Sequence, residues 1–407
     1  MDEQLPLRSI KVLDLSSVLM GPYATLQMAD MGAEVIKIEP LRGEVLRHYH
    51  PYKNPGMNGV FMNLYRNKKS VAIDLKHPDG NEAFRRLVTQ ADVVVHNFRP
   101  SVAERLNIAY SQLAEINPGL VYCQAYGFGS DGPYGEKPAY DDLIQAASGL
   151  TSMYQRVRGD QEYVPSMVSD KTVGLMITNA VLGALVAREK SGKGCEIEVP
   201  MFESMVSFNL MENQNGQVFE PPIGEFGWTR TLSTERKPFK TKDGFACLLP
   251  YSDQNWRDFL TEIGSGDLMD DVKYSRLPER VRHIDDLYAL VREAAPTKTT
   301  SEWIKFCDDR AIPAVAVNDL PDLWSNEHLL AVDFFQTMQH PTEGEYKTWR
   351  SPFRFGDTYP VGHKPAPTLS QDTVTVLSSA GYTLEEIELL AGSEAILLPK
   401  DYVGATE

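Results

Sequence analysis

The chain has 407 residues, 42% hydrophobic and 24% charged, the balance of an ordinary soluble globular protein with room for two or three cores. A formal net charge of −16 argues against nucleic acid or an anionic membrane as a partner, so an anionic ligand would need a local basic cluster. Four scattered cysteines (Cys123, Cys195, Cys247, Cys307) without a Cys-x-x-Cys pair, a leaderless Met1-Asp2-Glu3-Gln4 start and no apolar run fit to span a bilayer make a reduced cytoplasm the expectation.

Residues 10–15 (Ile-Lys-Val-Leu-Asp-Leu) read as a strand, followed by turns at Ser16-Ser17 and Gly21-Pro22. A helix from about Tyr23 to Met31 ends near Gly32 and feeds a second strand over 33–39. The unit recurs: strand 70–75, amphipathic helix 77–90, strand 91–96, helical segments near 102–105 and 110–116, strand 120–125. This alternation predicts an α/β fold, a large Rossmann-like doubly wound domain with ligands beyond the carboxyl ends of its strands. The loop after the first strand, Ser17-Val18-Leu19-Met20-Gly21-Pro22, lacks the Gly-x-Gly-x-x-Gly pattern, which weakens a dinucleotide reading. Glycines concentrate instead at 127–135, as turns or as a wide loop over a ligand.

The extended stretch Val164-Pro165-Ser166-Met167-Val168-Ser169 then delivers Asp170 to the start of a long apolar helix over about 172–190. Two readings of Asp170 stand side by side: an N-cap satisfying an orphan N–H, or a carboxylate held ionised by the helix terminus and usable as a nucleophile. A strand at 195–199 and a helix at 202–213 follow. Residues 215–228, rich in Pro and Gly, read as a linker, and 229–325 as a smaller α+β domain with a hairpin about Asp243-Gly244 and helices near 254–263, 284–294 and 301–309. A second linker is placed at 326–349, and 350–407 returns to the large domain of 1–214, through a Pro-rich loop to Pro367 and helices at 373–380 and 384–390.

Two basic clusters stand out. Arg66-Asn67-Lys68-Lys69 opens one strand, and Asn97-Phe98-Arg99-Pro100 with Arg105 follows another. In a doubly wound sheet both could edge one crevice, the cations holding phosphates and Phe98 facing a flat base. Arg47 and His48 could meet a carboxylate.

Several blocks resemble family III CoA-transferases, the group of formyl-CoA transferase and the CaiB/BaiF carnitine and bile-acid enzymes. They are Val12-Leu13-Asp14-Leu15, Gly21-Pro22, Gly32-Ala33-Glu34-Val35-Ile36-Lys37-Ile38-Glu39, Asn67-Lys68-Lys69-Ser70, Asn97-Phe98-Arg99-Pro100, Gly127-Phe128-Gly129, Pro138-Ala139-Tyr140-Asp141 and the Asp170 to Gly174 stretch. Their order runs along nearly the whole chain. The resemblance implies that Asp170 attacks an acyl-CoA thioester to form a mixed anhydride, from which CoA is passed to another acid. It implies CoA contacts at Leu19, Met20, Ile73, Lys76, Asn97, Phe98, Arg99, Arg105, Pro138, Ala139, Tyr140 and Asp141. Pro40 stands where formyl-CoA transferase has an arginine, which makes Arg42 the candidate substitute, and Leu19 replaces a glutamine, which argues against formate-like substrates. An oxyanion site is expected from the N–H groups of the 127–135 loop or of the Leu19–Met20 turn. The partners implied are acyl-CoA, as substrate and not as a resident cofactor, and a small carboxylic acid, with no metal and with an interlocked homodimer. Two alternatives are an α-methylacyl-CoA racemase, for which Tyr140 stands where the family's histidine falls, and a catalytically silent CoA-binding protein.

Overall fold

The structure, a computed structural model, describes residues 5–357, 359–360 and 364–403. Residues 1–4 and part of the loop leading to Pro367 lie outside these. The chain forms two compact units. One takes residues up to Ser148, Val164–Ser207 and the chain from Ala331 onward, and the other takes Gly149–Tyr163 and Phe208–Leu330.

The first unit is built on six strands in parallel register: β1 (Lys11–Asp14), β2 (Glu34–Glu39), β3 (Lys68–Ile73), β4 (Val93–His96), β5 (Val121–Gln124) and β6 (Cys195–Glu198). Among the described residues they lie in the order β3-β2-β1-β4-β5-β6, with Ile396–Leu397 closing the β3 edge antiparallel. The order reverses between β1 and β4, and in such sheets the ligand crevice opens at that switch point.

Side-chain alternation explains how these strands bury both faces. Val12, Val35, Val93, Val95 and Val121 join one core, while Leu13, Ile36, Val94 and Tyr122 join the other. The first face is covered by α1 (Met20–Asp30), through Met20, Ala24 and Met28. The opposite face is covered by Pro78–Val88 through Phe84 and Leu87, and by the C-terminal helices Thr373–Ser379 and Leu384–Gly392 through Leu377 and Ile387. Each such fully buried aliphatic side chain contributes about 1.5–3 kcal/mol. Helix α2 (Gly59–Tyr65) starts where the Asn58 carboxamide accepts from the N–H groups of Val60 and Phe61.

Three features differ from the expectations. Helix α1 begins at Met20, not near Tyr23, because a proline is tolerated in a first turn whose N–H groups need no partner. Gly21 is required there, since a Cβ would sit 2.2 Å from the Ser16 Cβ. The helix carrying Asp170, Val168–Ser191, is long and apolar enough by length and composition to cross a bilayer, contrary to the sequence reading. In the fold its residues Val173, Ile177, Val181 and Leu185 are buried in the core shared with α1. Within the 326–349 stretch the chain forms an antiparallel hairpin, Phe335–His340 with Gly344–Trp349.

The second unit has its own three-stranded sheet, in which Phe239–Lys240 and Ala314–Ala316 flank Phe245–Leu248. The turn at Asp243-Gly244 closes with the Thr241 N–H donating to the Gly244 carbonyl, 2.9 Å. Its core gathers Trp256, Phe259, Leu287 and Trp303.

Candidate active site

The long helix was expected over about 172–190, with Asp170 at its start either as a cap or as a nucleophile. Helical residues instead begin at Val168, and Asp170 is the third of them. The orphan N–H of Asp170 is taken by another aspartate: Asp141 Oδ1 accepts it at 2.8 Å. Asp141 opens the helix Asp141–Ala147, and its Oδ2 accepts from Gln145 Nε2 at 2.5 Å. Gln145 Oε1 in turn accepts from the Val164 N–H at 2.9 Å, so one side-chain pair holds both ends of the segment that delivers Asp170.

Freed from capping, the Asp170 carboxylate has no hydrogen-bond or ion-pair partner among the described residues, although the residue is 8% exposed. Burial raises its pKa to about 7, with the negative charges of Asp141 and Asp142 adding to the shift. Desolvation outweighs the helix terminus, so the carboxylate is poised between its two forms near neutrality and is not held firmly ionised.

Asp170 lines a cavity of about 350 Å³ beyond the carboxyl ends of β1, β4 and β5. Leu19, Met20, Asn97, Phe98, Arg99, Pro138, Ala139 and Tyr140, all named from the sequence, share it. A second cavity of about 520 Å³ lies beyond β1, β2 and β3 and takes in Arg42, Ile73 and Phe98. Ser17 and Phe98 line both, so the two cavities are neighbours across the switch point. The Phe98 ring lies 5.6 Å from that of His96, stacked at 24°. Asn97 acts at the seam: its Oδ1 accepts from the Ser17 N–H at 3.0 Å and its Nδ2 donates to the Ser17 carbonyl at 2.9 Å. Both ends of its amide are thus committed to the loop after β1.

Other expected residues sit apart. Lys76 and Arg105 are exposed and line neither cavity, and Asp141 is buried against the Asp170 backbone. The cluster Arg66-Asn67-Lys68-Lys69 stands at the amino end of β3, away from the crevice, and its cations are engaged. Arg66 Nη2 reaches Asp30 at 2.7 Å, Lys68 Nζ reaches Asp14 at 3.1 Å and Lys69 Nζ reaches Glu34 at 2.5 Å. Arg47 is not available to a substrate either, since it is buried with Nε and Nη2 on the two oxygens of Glu39, at 2.7 and 2.8 Å. In the glycine loop, Gly127 lines the Asp170 cavity, while other N–H groups of the loop are taken. The Gly129 N–H donates to Glu203 and the Ser130 N–H to Glu198, at 3.0 and 2.7 Å, so these two are already engaged. The Leu19 and Met20 N–H groups have no protein acceptor among the described residues, and both residues line the Asp170 cavity.

Sequence reasoning missed Lys37, Glu39, Gly43 and Glu44 in the larger cavity and Val18, Tyr126 and Lys137 in the smaller. Lys37 and Glu39 lie in the carboxyl half of β2, and Gly43, Glu44, Val18 and Tyr126 are in the segments that follow β2, β1 and β5, the side of the sheet that strand order would have flagged. Lys137, whose ammonium lies 3.8 Å from the Tyr134 ring centroid, carried no such signal. Among the described residues no group of three or more His, Cys, Asp or Glu side chains is placed to hold a metal ion.

The family model for CoA-transferase family III matches residues 7–373. Mouse succinyl-CoA:glutarate CoA-transferase is 29% identical over 377 residues, 92% of this chain and 86% of that protein. The (R)-2-hydroxy-4-methylpentanoate CoA-transferase of Clostridioides difficile is 30% identical over 398 residues, 96% of this chain and 99% of that one. The crystal structure of a CaiB/BaiF family protein from Brucella suis superposes with a TM-score of 0.78 at 26% identity, covering 93% of this chain and all of that one (100%).

Proposed function

The chain belongs to CoA-transferase family III, and from that premise we propose that it moves CoA between an acyl-CoA and a small free carboxylic acid through an anhydride on Asp170. One observation carries the reading. A carboxylate without a protein partner, more than nine-tenths buried, lines a cavity at the sheet's switch point, next to a second cavity with which it shares Ser17 and Phe98. Leaving a buried acid unsatisfied costs stability, and such groups gather where chemistry needs them.

The steps follow from the groups present. An ionised Asp170 oxygen attacks the thioester carbonyl carbon, the carbonyl electron pair moves to oxygen, and its return expels the CoA thiolate with the pair of the broken C–S bond. The acceptor carboxylate attacks the Asp170 Cγ of the resulting anhydride, and the Cγ–O bond to the first acyl group breaks with its electron pair on that oxygen, which releases the first acid as its carboxylate and leaves an anhydride between Asp170 and the acceptor. The thiolate then attacks the new anhydride and regenerates the Asp170 carboxylate. No external proton or oxidant is needed. The nucleotide end of CoA fits the cavity of about 520 Å³ beside Arg42, Ile73 and Phe98, and the pantetheine arm the passage at Ser17 and Phe98. The relatives named for glutarate and for a branched 2-hydroxy acid support small carboxylic acids as the acceptor class.

A homodimer completes the proposal. Leu175 and Val186 on the helix of Asp170 are 43% and 62% exposed, apolar surface that a second copy would cover. Sedimentation as a monomer at micromolar concentration would count against it.

Hydroxylamine trapping tests the chemistry. Incubation with acyl-CoA should leave a hydroxamate on Asp170 alone, and modification at any other residue overturns the mechanism. A pKa near 7 would equally suit an acid–base group at an α-carbon. Deuterium wash-in at that carbon without acceptor acid, lost on Asp170→Ala, would favour the racemase reading, in which Tyr140 would have to be the opposing base.

A further inference from the structure

The loop between β1 and α1 is held in a conformation its sequence does not favour. Val18 has φ 68°, and it is the only β-branched residue with positive φ among the described residues. The left-handed region is sparsely populated by any residue with a Cβ and least by a β-branched one, so the surroundings must impose it. Two contacts do. Asn97 grips Ser17 by both its N–H and its carbonyl. On the other side the Val18 N–H donates to Glu44 Oε1 at 2.8 Å, across 26 residues of chain.

Glu44 is itself fixed. It is 2% exposed, its Oε2 accepts from the Leu46 N–H at 2.6 Å, and its own N–H donates to Glu39 at 2.9 Å. Glu39 is locked in the two-pronged pair with Arg47. A chain of buried contacts therefore runs from Arg47 through Glu39 and Glu44 to the Val18 N–H. The far side of the loop is equally constrained. Gly174 lies four residues beyond Asp170, and a Cβ there would meet the Met20 carbonyl oxygen at 2.8 Å. The backbone carrying the nucleophile is thus pressed against the residues that follow Val18.

We propose that Glu44 is a positioning residue for acyl transfer: it holds Val18 in the left-handed conformation, and thereby keeps the Leu19 and Met20 N–H groups turned toward the oxygen that becomes negative when Asp170 attacks the thioester. This rests on the acyl-transfer reading of Asp170. Two observations at the same cavity point to an acyl ligand: N–H groups without a protein acceptor, and a carboxylate without a partner. Glu44 touches neither the nucleophile nor the acyl group. Its effect passes through the backbone, which distinguishes it from a residue that only lines the nucleotide end.

The test is a rescue. In Glu44→Ala the strained turn loses its restraint, and kcat should fall about 10²-fold, the cost of a misplaced donor or of one removed, while KM for acyl-CoA changes little. Val18→Gly added to Glu44→Ala should recover about tenfold or more, because glycine adopts positive φ without steric cost. If Glu44→Ala does not fold, the near-isosteric Glu44→Gln is compared with and without Val18→Gly in the same way. Rescue supports the proposal. A double variant no faster than the single one, or a loss confined to KM, overturns it. Hydroxamate formation on wild-type Asp170 is measured alongside. Its absence overturns both this proposal and the acyl-transfer reading, whereas its presence without rescue overturns the role of Glu44 alone.

Discussion

Asp14 and Asp170 lie in the same unit, are almost wholly buried, and have opposite surroundings. Asp14 ends β1 on the face covered by α1, where side-chain alternation also points Lys37 of β2 and Lys68 of β3. Its carboxylate takes Lys68 at 3.1 Å, the Thr25 hydroxyl at 2.6 Å and the Ser16 hydroxyl at 2.5 Å. Burial alone would raise its pKa, but the two lysines and the hydroxyls hold it below the usual carboxylate range. Asp170 meets burial with no cation and with two neighbouring carboxylates, and its pKa rises to about 7. One aspartate is matched to its environment and supports the fold. The other is mismatched, and an acyl group would relieve the mismatch because the anhydride carries no charge at that position.

Four experiments would break or sharpen this contrast. The largest effect is expected on activity: Asp170→Asn should lower transfer by about 10⁴-fold or more, as loss of a covalent nucleophile does, without loss of the folded state. Residual exchange above that level, not traceable to deamidation, would remove Asp170 from the mechanism. Next in size, Asp14→Ala should cost about 3–5 kcal/mol in urea unfolding, because Lys37 and Lys68 remain buried without their counter-charge. A cost below about 1 kcal/mol would mean that the web is solvated.

The third concerns pH. Asp170 has a folded pKa of about 7, raised above the ordinary aspartate value of 3.8, so its protonated form is favoured on folding. The stability tied to that proton is fully present below the unfolded value and is lost as pH rises through about 7. Asp170→Asn should therefore be as stable as the wild type at pH 4 and more stable at pH 8, by no more than about 4 kcal/mol. Transfer needs the ionised form, so kcat/KM should fall tenfold per unit below pH 7, and a rate flat down to pH 5 would contradict the mismatch. The smallest effect is a null. Lys69→Ala breaks a half-buried pair with Glu34 that lies away from both cavities, so stability should change by less than about 1 kcal/mol and KM for acyl-CoA should stay put. A clear rise in KM would return the 66–69 cluster to the binding site.

Much of this was legible in advance where the physics is local. Short apolar segments marked residues 10–15, 33–39 and 91–96 as strands, and small-residue apolar content marked the helix after Asp170. The blocks around Leu19, Asn97, Pro138 and Asp170 were read as one site, and the fold does bring them to one cavity. Arg47 and Lys68 were misread because a basic residue in sequence looks the same whether it faces water or a carboxylate. Their partners Glu39 and Asp14 stand 8 and 54 residues away. The capping alternative for Asp170 fails for a similar reason: the group that accepts an orphan N–H of that helix is Asp141, 29 residues upstream.

By itself the sequence determined the α/β alternation, the family to which the ordered blocks point, and the identity of the carboxylate at the head of the long helix. Only the tertiary structure decided which charges are matched, which segment of chain, such as Gly149–Tyr163, belongs to which unit, and in what state Asp170 rests. Strand and helix periodicity depend on neighbours along the chain. Desolvation and Coulomb interaction depend on distance in space, and so the aspartate that sequence reasoning expected to be held charged is, once folded, balanced between its acid and its base.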